Sequence, residues 1–174
     1  MKLIQKPQAG DSAPYTHAYI ATVPDDGKVL QHLVDDQALV RDYLKGLPAD
    51  KLTTPHKPGE WTVQEVFGHM LDTERIFAYR ALRIARNDLT ELPGFEQDDY
   101  VPYSNANSRT LDDMLAEYAA VRAASLALFN TFDDAALDRR GKASGNPLTV
   151  RAAVYIVAGH ELYHLNSMKE NYGT

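Results

Sequence analysis

The sequence predicts an all-α protein, a single four-helix bundle with long inter-helix connections. Four stretches place apolar residues three or four positions apart, which is the period of an amphipathic helix. Convincing strands are missing, since Tyr19–Val23 is the only short run of strand-forming residues. Four amphipathic helices with no sheet to cover must bury their apolar stripes against one another.

The first predicted helix runs from about Lys28 to Lys45, and Gly46 and Pro48 close it. Its apolar side is Leu30, Leu33, Val34, Val40 and Leu44. The segment before it, residues 1–27, is expected to be partly extended. Residues 1–174 are expected to form one domain, because this length is that of an ordinary single domain.

The second predicted helix has the clearest start. Thr62 and Glu65 form a T-x-x-E capping box, in which each side chain accepts a hydrogen bond from an amide of the first turn. Trp61 and Val66 are spaced for a hydrophobic staple. The helix is expected to run to about Arg86, before Asn87-Asp88.

The third and fourth predicted helices also begin at threonines. The third starts near Thr110, and its apolar residues extend to Phe132. The fourth has Thr149 as N-cap and continues to about Asn171. About sixteen residues separate helices one and two, and more than twenty separate helices two and three. Connections of this length permit crossovers instead of simple hairpins.

Charge and composition exclude several function classes. With a net charge of −6, the chain lacks the basic face that phosphate binding needs, so nucleic acid is not an expected partner. The absence of cysteine excludes disulfides, thiolate metal sites and a cysteine nucleophile. No apolar run has the length of a signal peptide or a membrane span, so we expect a cytoplasmic protein with no membrane partner.

Three of the six histidines form a candidate metal site. His160 and His164 are four residues apart in one helix, which places both rings on the same face at the edge of its apolar arc. His69 lies two turns into the second helix, within reach across a bundle. Three imidazoles with remaining open positions are typical of a catalytic metal site. His17, His32 and His56 show no pattern, and we interpret them as surface or loop residues.

Two glutamates near these histidines have alternative interpretations. Glu65 could orient the His69 ring as a hydrogen-bond acceptor, or it could serve only as the capping partner of Thr62. Glu161 falls in the middle of an apolar arc, where an unpaired carboxylate is costly. It therefore needs a metal-bound water, a raised pKa or an arginine, for which Arg80 and Arg83 are candidates.

The segment His160–His164 also matches H-E-x-x-H, the zinc motif of many metalloproteases. A protease is not favoured, because only ten residues follow His164 and the third ligand of such enzymes lies downstream. Ser167 also stands where the extended form of the motif needs glycine. The strands that bind a peptide substrate are missing as well.

Three segments resemble the DinB/YfiT-like superfamily of bacterial metal-binding four-helix bundles. They are EWTVQEVFGHMLDTERIFAYRALRIARND, PGFEQDDYVPYSN and LTVRAAVYIVAGHELYHLNSMKENY. The anchors are W-T-x-x-E-V-x-x-H on the second helix and G-H-E-x-x-H on the last. The resemblance extends from about Tyr19 to Tyr172.

This resemblance implies a DinB-like bundle that is often a homodimer. It implies that the metal ligands are His69, His160 and His164, with nickel, zinc or iron as the divalent metal ion. Known members include thiol-dependent transferases and isomerases that use bacillithiol, mycothiol or glutathione, and many are candidate metal-dependent hydrolases. Tyr163 departs from the pattern, because relatives frequently have another histidine at that position.

The leading hypothesis is therefore a metal-dependent hydrolase or a thiol S-transferase that acts on a small-molecule substrate. A metal with an open position produces a nucleophile from bound water or from a low-molecular-weight thiol at neutral pH. Glu161 or Glu65 would manage the proton as a catalytic or supporting group. The alternatives are a non-catalytic metal-binding or stress-response module, with a structural or sensory metal, and a helical scaffold without metal.

Overall fold

Four long helices form a bundle in the computed structural model, which describes residues 1–173. Four shorter helices and one hairpin lie between and before them. In chain order the elements are α1 (His17–Thr22), α2 (Val29–Gly46), α3 (Ala49–Thr53), α4 (Val63–Ala85), α5 (Gln97–Tyr100), α6 (Leu111–Phe129), α7 (Asp134–Leu137), β1 (Arg140–Ala143), β2 (Asn146–Thr149) and α8 (Val150–Tyr172). The long helices are α2, α4, α6 and α8, so the predicted all-α bundle is confirmed. Within residues 1–173, no helix is long and apolar enough to cross a bilayer.

The long helices begin and end close to the predicted positions. The side chains of Thr62, Thr110 and Thr149 each accept a hydrogen bond from the amide three residues later, which caps α4, α6 and α8. Thr62 and Glu65 form the predicted reciprocal capping box. Just beyond α4, Asn87 has a φ of 61°, the left-handed conformation that ends many helices.

Helices that are neighbours in the bundle are mostly not neighbours along the chain. α8 packs against α4 and α2, and α6 packs against the same two helices. The consecutive helices α2 and α4 therefore lie diagonally across the core, as do α6 and α8. The long connections make this arrangement possible, because short loops join helices that lie side by side.

The segment Tyr19–Val23, the one short strand candidate in the sequence, is not a strand, because most of it forms α1. Thr16, Ile20 and Val23 are buried at helical spacing, and α1 packs against α8. The run of strand-forming residues is too short to prevail over this packing.

The hairpin of β1 and β2 corrects the expectation that strands are missing. Its two-residue turn is Ser144-Gly145, with φ of 52° and 74°, the pattern of a type I′ turn. The Ser-Gly pair indicates a turn. The strands are four residues each, too short for a recognisable alternation.

The apolar core has two parts, one at each end of the bundle. One part contains Leu30 and Leu33 of α2, Phe77 and Ile84 of α4, Phe129 of α6, and Val150 and residues 152–158 of α8. The other contains Val40 and Leu44 of α2, Phe67 and Leu71 of α4, Met114 and Tyr118 of α6, and Leu165 and Met168 of α8. Between them, each long helix contributes one buried charged residue. We call these four, Asp36, Glu74, Arg122 and Glu161, the charged layer.

Arg122 is the centre of the charged layer, and its side chain is 1% exposed. From α6, it donates to the Leu33 carbonyl of α2, to Glu74 of α4 (Nη2–Oε2 2.9 Å) and to Glu161 of α8 (Nη1–Oε1 3.2 Å). Tyr118 also donates its hydroxyl to Glu161. One guanidinium thus binds all three of the other long helices.

The expectation that Arg80 or Arg83 pairs with Glu161 is wrong. Arg80 donates to the Pro93 carbonyl and the Ser144 hydroxyl, and Arg83 pairs with Asp88. Glu161 projects toward Arg122, which lies on the helix diagonally opposite α8. Burial raises the pKa of Glu161, while the charge and hydrogen bonds of Arg122 act in the opposite direction.

Replacing Arg122 by methionine should strongly destabilise the protein. Arg122→Met leaves Glu74 and Glu161 buried without a counter-charge, for which about 3–5 kcal/mol of unfolding free energy is expected. Urea denaturation at pH 7.5 measures this loss. Arg75→Met is the matched control, because Arg75 pairs with Asp72 and Glu117 while 46% exposed, and we expect a loss of about 1 kcal/mol or less. Equal losses in the two variants would contradict a central role for Arg122.

Asp36 should make the stability of the protein depend on pH. Desolvation raises its pKa from 3.8 to about 6, although His32 and Arg122 act in the opposite direction. The folded state therefore favours the protonated carboxyl, and the stability that this gives is lost as pH rises from 3.8 through about 6. Asp36→Asn should raise the unfolding free energy by roughly 1–3 kcal/mol at pH 7.5 and by much less at pH 4. Paired denaturation curves at both pH values test this, with the exposed Asp35→Asn as control. A gain that is equal at the two pH values would contradict the titration of Asp36.

Candidate metal centre

Three imidazole rings converge where α4 and α8, the most extensively paired helices, face each other. The Nε2 atom of His160 lies 2.9 Å from Nε2 of His69 and 3.1 Å from Nε2 of His164. The ligand nitrogens of all three residues lie within 4.8 Å of one another. The structure therefore brings together the three histidines that the sequence predicts as ligands.

All three rings are in the neutral form that can bind a metal. Burial lowers the pKa of His69 to about 4, although the charge of Asp98 acts in the opposite direction. Burial and the nearby His69 ring lower the pKa of His164 to about 3. Burial, together with its two histidine neighbours, lowers the pKa of His160 as well. At neutral pH each ring thus has a nitrogen lone pair available.

The three rings cannot satisfy one another by hydrogen bonding alone. A neutral ring nitrogen has either one proton or one lone pair, so Nε2 of His160 cannot bond well to both neighbours. A cation would accept a lone pair from each ring. Two nitrogens that each lie about 2.1 Å from one tetrahedral metal are about 3.4 Å apart, so small shifts of the side chains would bring the observed separations of 2.9 and 3.1 Å to that value. The three side chains therefore fit a divalent metal ion.

The histidines lie at the wall of a pocket of about 350 Å³. Most of its other large side chains are aromatic, namely Tyr15, Tyr19, Trp61, Phe77 and Phe95, and its polar residues include Thr73, Glu96, Gln97 and Ser144. A second pocket of about 360 Å³ shares Trp61 and His164 with the first, and His56 also lines it. The site can therefore be approached from two sides.

Close packing of α1 on α8 positions His160. A side chain at Gly159 would place its Cβ 2.0 Å from the Tyr19 carbonyl oxygen, so only glycine permits this approach. The Tyr19 ring then meets the His160 ring edge-on, with 5.2 Å between centroids. On the opposite side, the Trp61 ring lies 5.2 Å from that of His69. Tyr163 packs between Tyr19 and His164.

The two predicted glutamates do not line the histidine pocket. Glu65 accepts the Thr62 amide at 2.8 Å, which is its capping interpretation. The polar neighbour of the His69 Nδ1 atom is instead Thr73, whose hydroxyl lies 3.5 Å away. Glu161 projects into the charged layer, one residue after His160. Their catalytic roles stay predictions, and their contacts favour the structural alternatives.

The remaining histidines lie outside the cluster. His17 bonds to the Ala9 carbonyl, and His32 lies 3.0 Å from Asp26. His56 borders the second pocket, a position that sequence reasoning missed because nothing in its spacing relates it to His164. The sequence predicts a hydrophobic staple for Trp61, whereas in the structure its ring packs against that of His69. Nothing in the sequence identifies Tyr19 as a neighbour of the site.

Comparison with known proteins agrees with this arrangement. Residues 32–168 match the sequence profile of the DinB superfamily. A protein of Geobacillus thermodenitrificans (strain NG80-2), named as a candidate metal-dependent hydrolase, is 27% identical over 141 residues, which cover 77% of this chain and 78% of the relative.

Two solved structures share the fold. YfiT from Bacillus subtilis, described as a candidate metal-dependent hydrolase with an unusual four-helix bundle topology, matches with a TM-score of 0.73 at 19% identity over 84% of this chain and 85% of its own. The mycothiol-dependent maleylpyruvate isomerase matches with a TM-score of 0.68 at 10% identity over 89% of this chain. This chain spans only 63% of the isomerase. The profile match covers well over half of the sequence, and the chain belongs to the DinB superfamily.

Proposed function

We propose that this protein is a metal-dependent enzyme that holds one divalent ion with His69, His160 and His164 and acts on a small molecule. The observation that carries the proposal is the convergence of three neutral imidazole nitrogens at the wall of an aromatic pocket. When bound, the metal would supply Lewis-acid chemistry that produces a nucleophile at neutral pH. The names of the relatives, a candidate hydrolase and an isomerase, are consistent with this proposal.

The shape of the site favours catalysis over a purely structural metal. Structural sites are closed by a fourth protein ligand, whereas only three ligating residues converge within the described chain. His164 is only partly buried, and both pockets reach it. A ligand can therefore approach the three rings. A sensory or structural metal does not need such access.

The chain's own residues would orient the ligands and exclude water. Trp61 packs against the ring of His69, and Tyr19 packs edge-on against the ring of His160. These contacts limit the rotation of both imidazoles. In this proposal Glu65 caps α4 ahead of His69, and Glu161 anchors α8 beside His160. Both are positioning residues here, in place of the proton-transfer roles expected from the sequence.

Two pockets that meet at one centre favour a reaction between two molecules. Both contain His164 and Trp61, and their volumes are similar, about 350 and 360 Å³. A hydrolase needs room for water and one substrate, whereas a transferase must hold a donor and an acceptor together. We therefore favour thiol-dependent transfer over hydrolysis, with a low-molecular-weight thiol as the second reactant. A homodimer, a cytoplasmic location and the choice among nickel, zinc and iron stay predictions of the sequence.

The metal content of the untagged protein tests the ligand set. We expect about one divalent ion per chain in the native protein and at most about a tenth of that in His69→Ala and His160→Ala, because each variant removes one of three ligands. Inductively coupled plasma mass spectrometry measures the metal. His32→Ala is the matched control, since His32 bonds to Asp26 outside the site and should leave the content unchanged. Equal trace amounts in all four proteins would eliminate the metal site.

Adding a thiol should separate the two reaction classes. We expect 1-chloro-2,4-dinitrobenzene to be consumed only when glutathione or another small thiol is supplied, at a rate at least about tenfold above that of His160→Ala. Absorbance of the thioether product follows the reaction. Hydrolysis of p-nitrophenyl acetate without thiol, if lost in His160→Ala, would select the hydrolase instead. If neither reaction distinguishes the native protein from the variant in any thiol tested, the non-catalytic alternative is favoured.

A further inference from the structure

The pocket beside the histidines continues along α4 to a buried arginine. His69, Thr73 and Phe77 line the pocket at spacings of four residues, and Arg80 is the next position on the same face. From His69 to Arg80 the helix rises by about 16 Å. The pocket thus has the histidines at one end and Arg80 behind its wall at the other.

Arg80 is a buried cation without an acidic partner. It is 3% exposed, and no carboxylate of residues 1–173 lies within 4.0 Å of its guanidinium nitrogens. Its guanidinium lies against the rings of Phe77 (4.9 Å) and Phe95 (5.8 Å), and only Nη2 has protein acceptors. Removing a charge from water is costly unless an opposite charge offsets it. Arg122, which is also buried, pairs with two carboxylates, those of Glu74 and Glu161.

Ser144 connects this arginine to the pocket. Its hydroxyl oxygen accepts a hydrogen bond from Nη2 of Arg80 at 3.0 Å, and the residue lines the pocket. The hydroxyl hydrogen has no acceptor among the described residues, so it can be donated to a ligand. A hydroxyl that accepts from a cation becomes a stronger donor, because neighbouring hydrogen bonds polarise each other.

Ser144 adopts a strained backbone conformation, and this conformation holds its hydroxyl at the pocket. Serine occupies the first position of the type I′ turn with a φ of 52°, where asparagine, aspartate or glycine is preferred. Gly94 allows the close fit, since a Cβ there would lie 3.2 Å from Ser144 Oγ. Strain of this kind is often found where a side chain serves a function.

We propose that Ser144 and Arg80 form an anion subsite that binds a carboxylate of the substrate, at the end of the pocket away from the histidines. The inference rests on the proposed function in one respect, that the same pocket holds the reacting molecule. One hydroxyl donor and one positive charge match the single charge of a carboxylate. The rings between the two ends fit an apolar or aromatic body. The substrate class is thus an elongated aromatic or aliphatic carboxylate that reacts at its opposite end.

The charges around the subsite agree with an anionic ligand. Glu96 is the one carboxylate among the residues that line this pocket, and it is solvent-exposed, where water and salt screen it. The buried charge at this end is therefore positive.

Binding of 3-phenylpropionate and its neutral amide, 3-phenylpropanamide, tests the subsite. Calorimetric titration of the protein as isolated should give a millimolar or tighter Kd for the acid. Ser144→Gly should weaken acid binding about tenfold, the worth of a hydrogen bond to a charged group, and leave amide binding within about twofold. Arg80→Gln should weaken the acid at least as much.

Ser144→Gly is informative because it should not harm the fold. Glycine relieves the positive φ but removes one of the two acceptors of Arg80, so the two effects on stability oppose each other and the melting temperature should change by no more than about 4 °C. Asn87→Gly is the matched control, since it relieves a φ of 61° outside the pocket and should change neither Kd. A Ser144→Gly protein that binds the acid like the native protein, or that loses acid and amide equally, overturns the subsite. So does a native protein that binds neither probe at 10 mM.

Metal analysis of the same samples separates this inference from the proposed function. Loss of acid binding in Ser144→Gly with an unchanged metal content supports both. If no preparation contains metal and the acid still binds through Ser144, the metal proposal fails and the subsite stands. If metal is present and Ser144 has no effect, the acid binds elsewhere, and the subsite alone fails.

Discussion

The guanidinium of Arg122 is the interaction on which the arrangement of the bundle depends. It extends from α6 into the middle of the core and bonds to α2, α4 and α8 together. Apolar contacts are tolerant of small shifts and rotations, whereas a planar group with several donors accepts only one relative placement of its acceptors. The charged layer lies where the two apolar parts of the core meet. It therefore fixes the positions of the four long helices relative to one another along the bundle axis.

The candidate metal centre is built directly on this layer. Glu161 and His160 are consecutive, so the residue that anchors α8 to Arg122 also sets the position of a proposed ligand. On α4, Glu74 lies five residues after His69 and is held by the same arginine. Any displacement of α8 along α4 would separate the three nitrogens. A rigid polar core thus supports a site whose geometry must be held to within a fraction of an ångström.

The sequence predicts the features of this protein that arise from local patterns. The threonine caps, the long helices and the placement of His160 and His164 on one helix face all follow from spacing within a single helix. The partner of Glu161 does not, because the sequence points to Arg80 or Arg83, and Arg122 is identified only when the order of helices around the bundle is known. The crossed arrangement places α6, not α4, diagonally opposite α8. The Arg80–Ser144 contact is equally inaccessible from the sequence, since 64 residues separate the two and a short hairpin brings them together.

The region that matches the superfamily profile begins at residue 32, after α1. All three histidines lie inside that region, whereas Tyr15 and Tyr19, which form one side of the pocket, lie before it. The proposed ligands and part of the substrate-facing wall therefore come from separate parts of the chain. Changes in this N-terminal segment would therefore alter the wall of the pocket while leaving the three histidines in place. Tests of substrate range should therefore exchange the first thirty residues between relatives before altering the bundle itself.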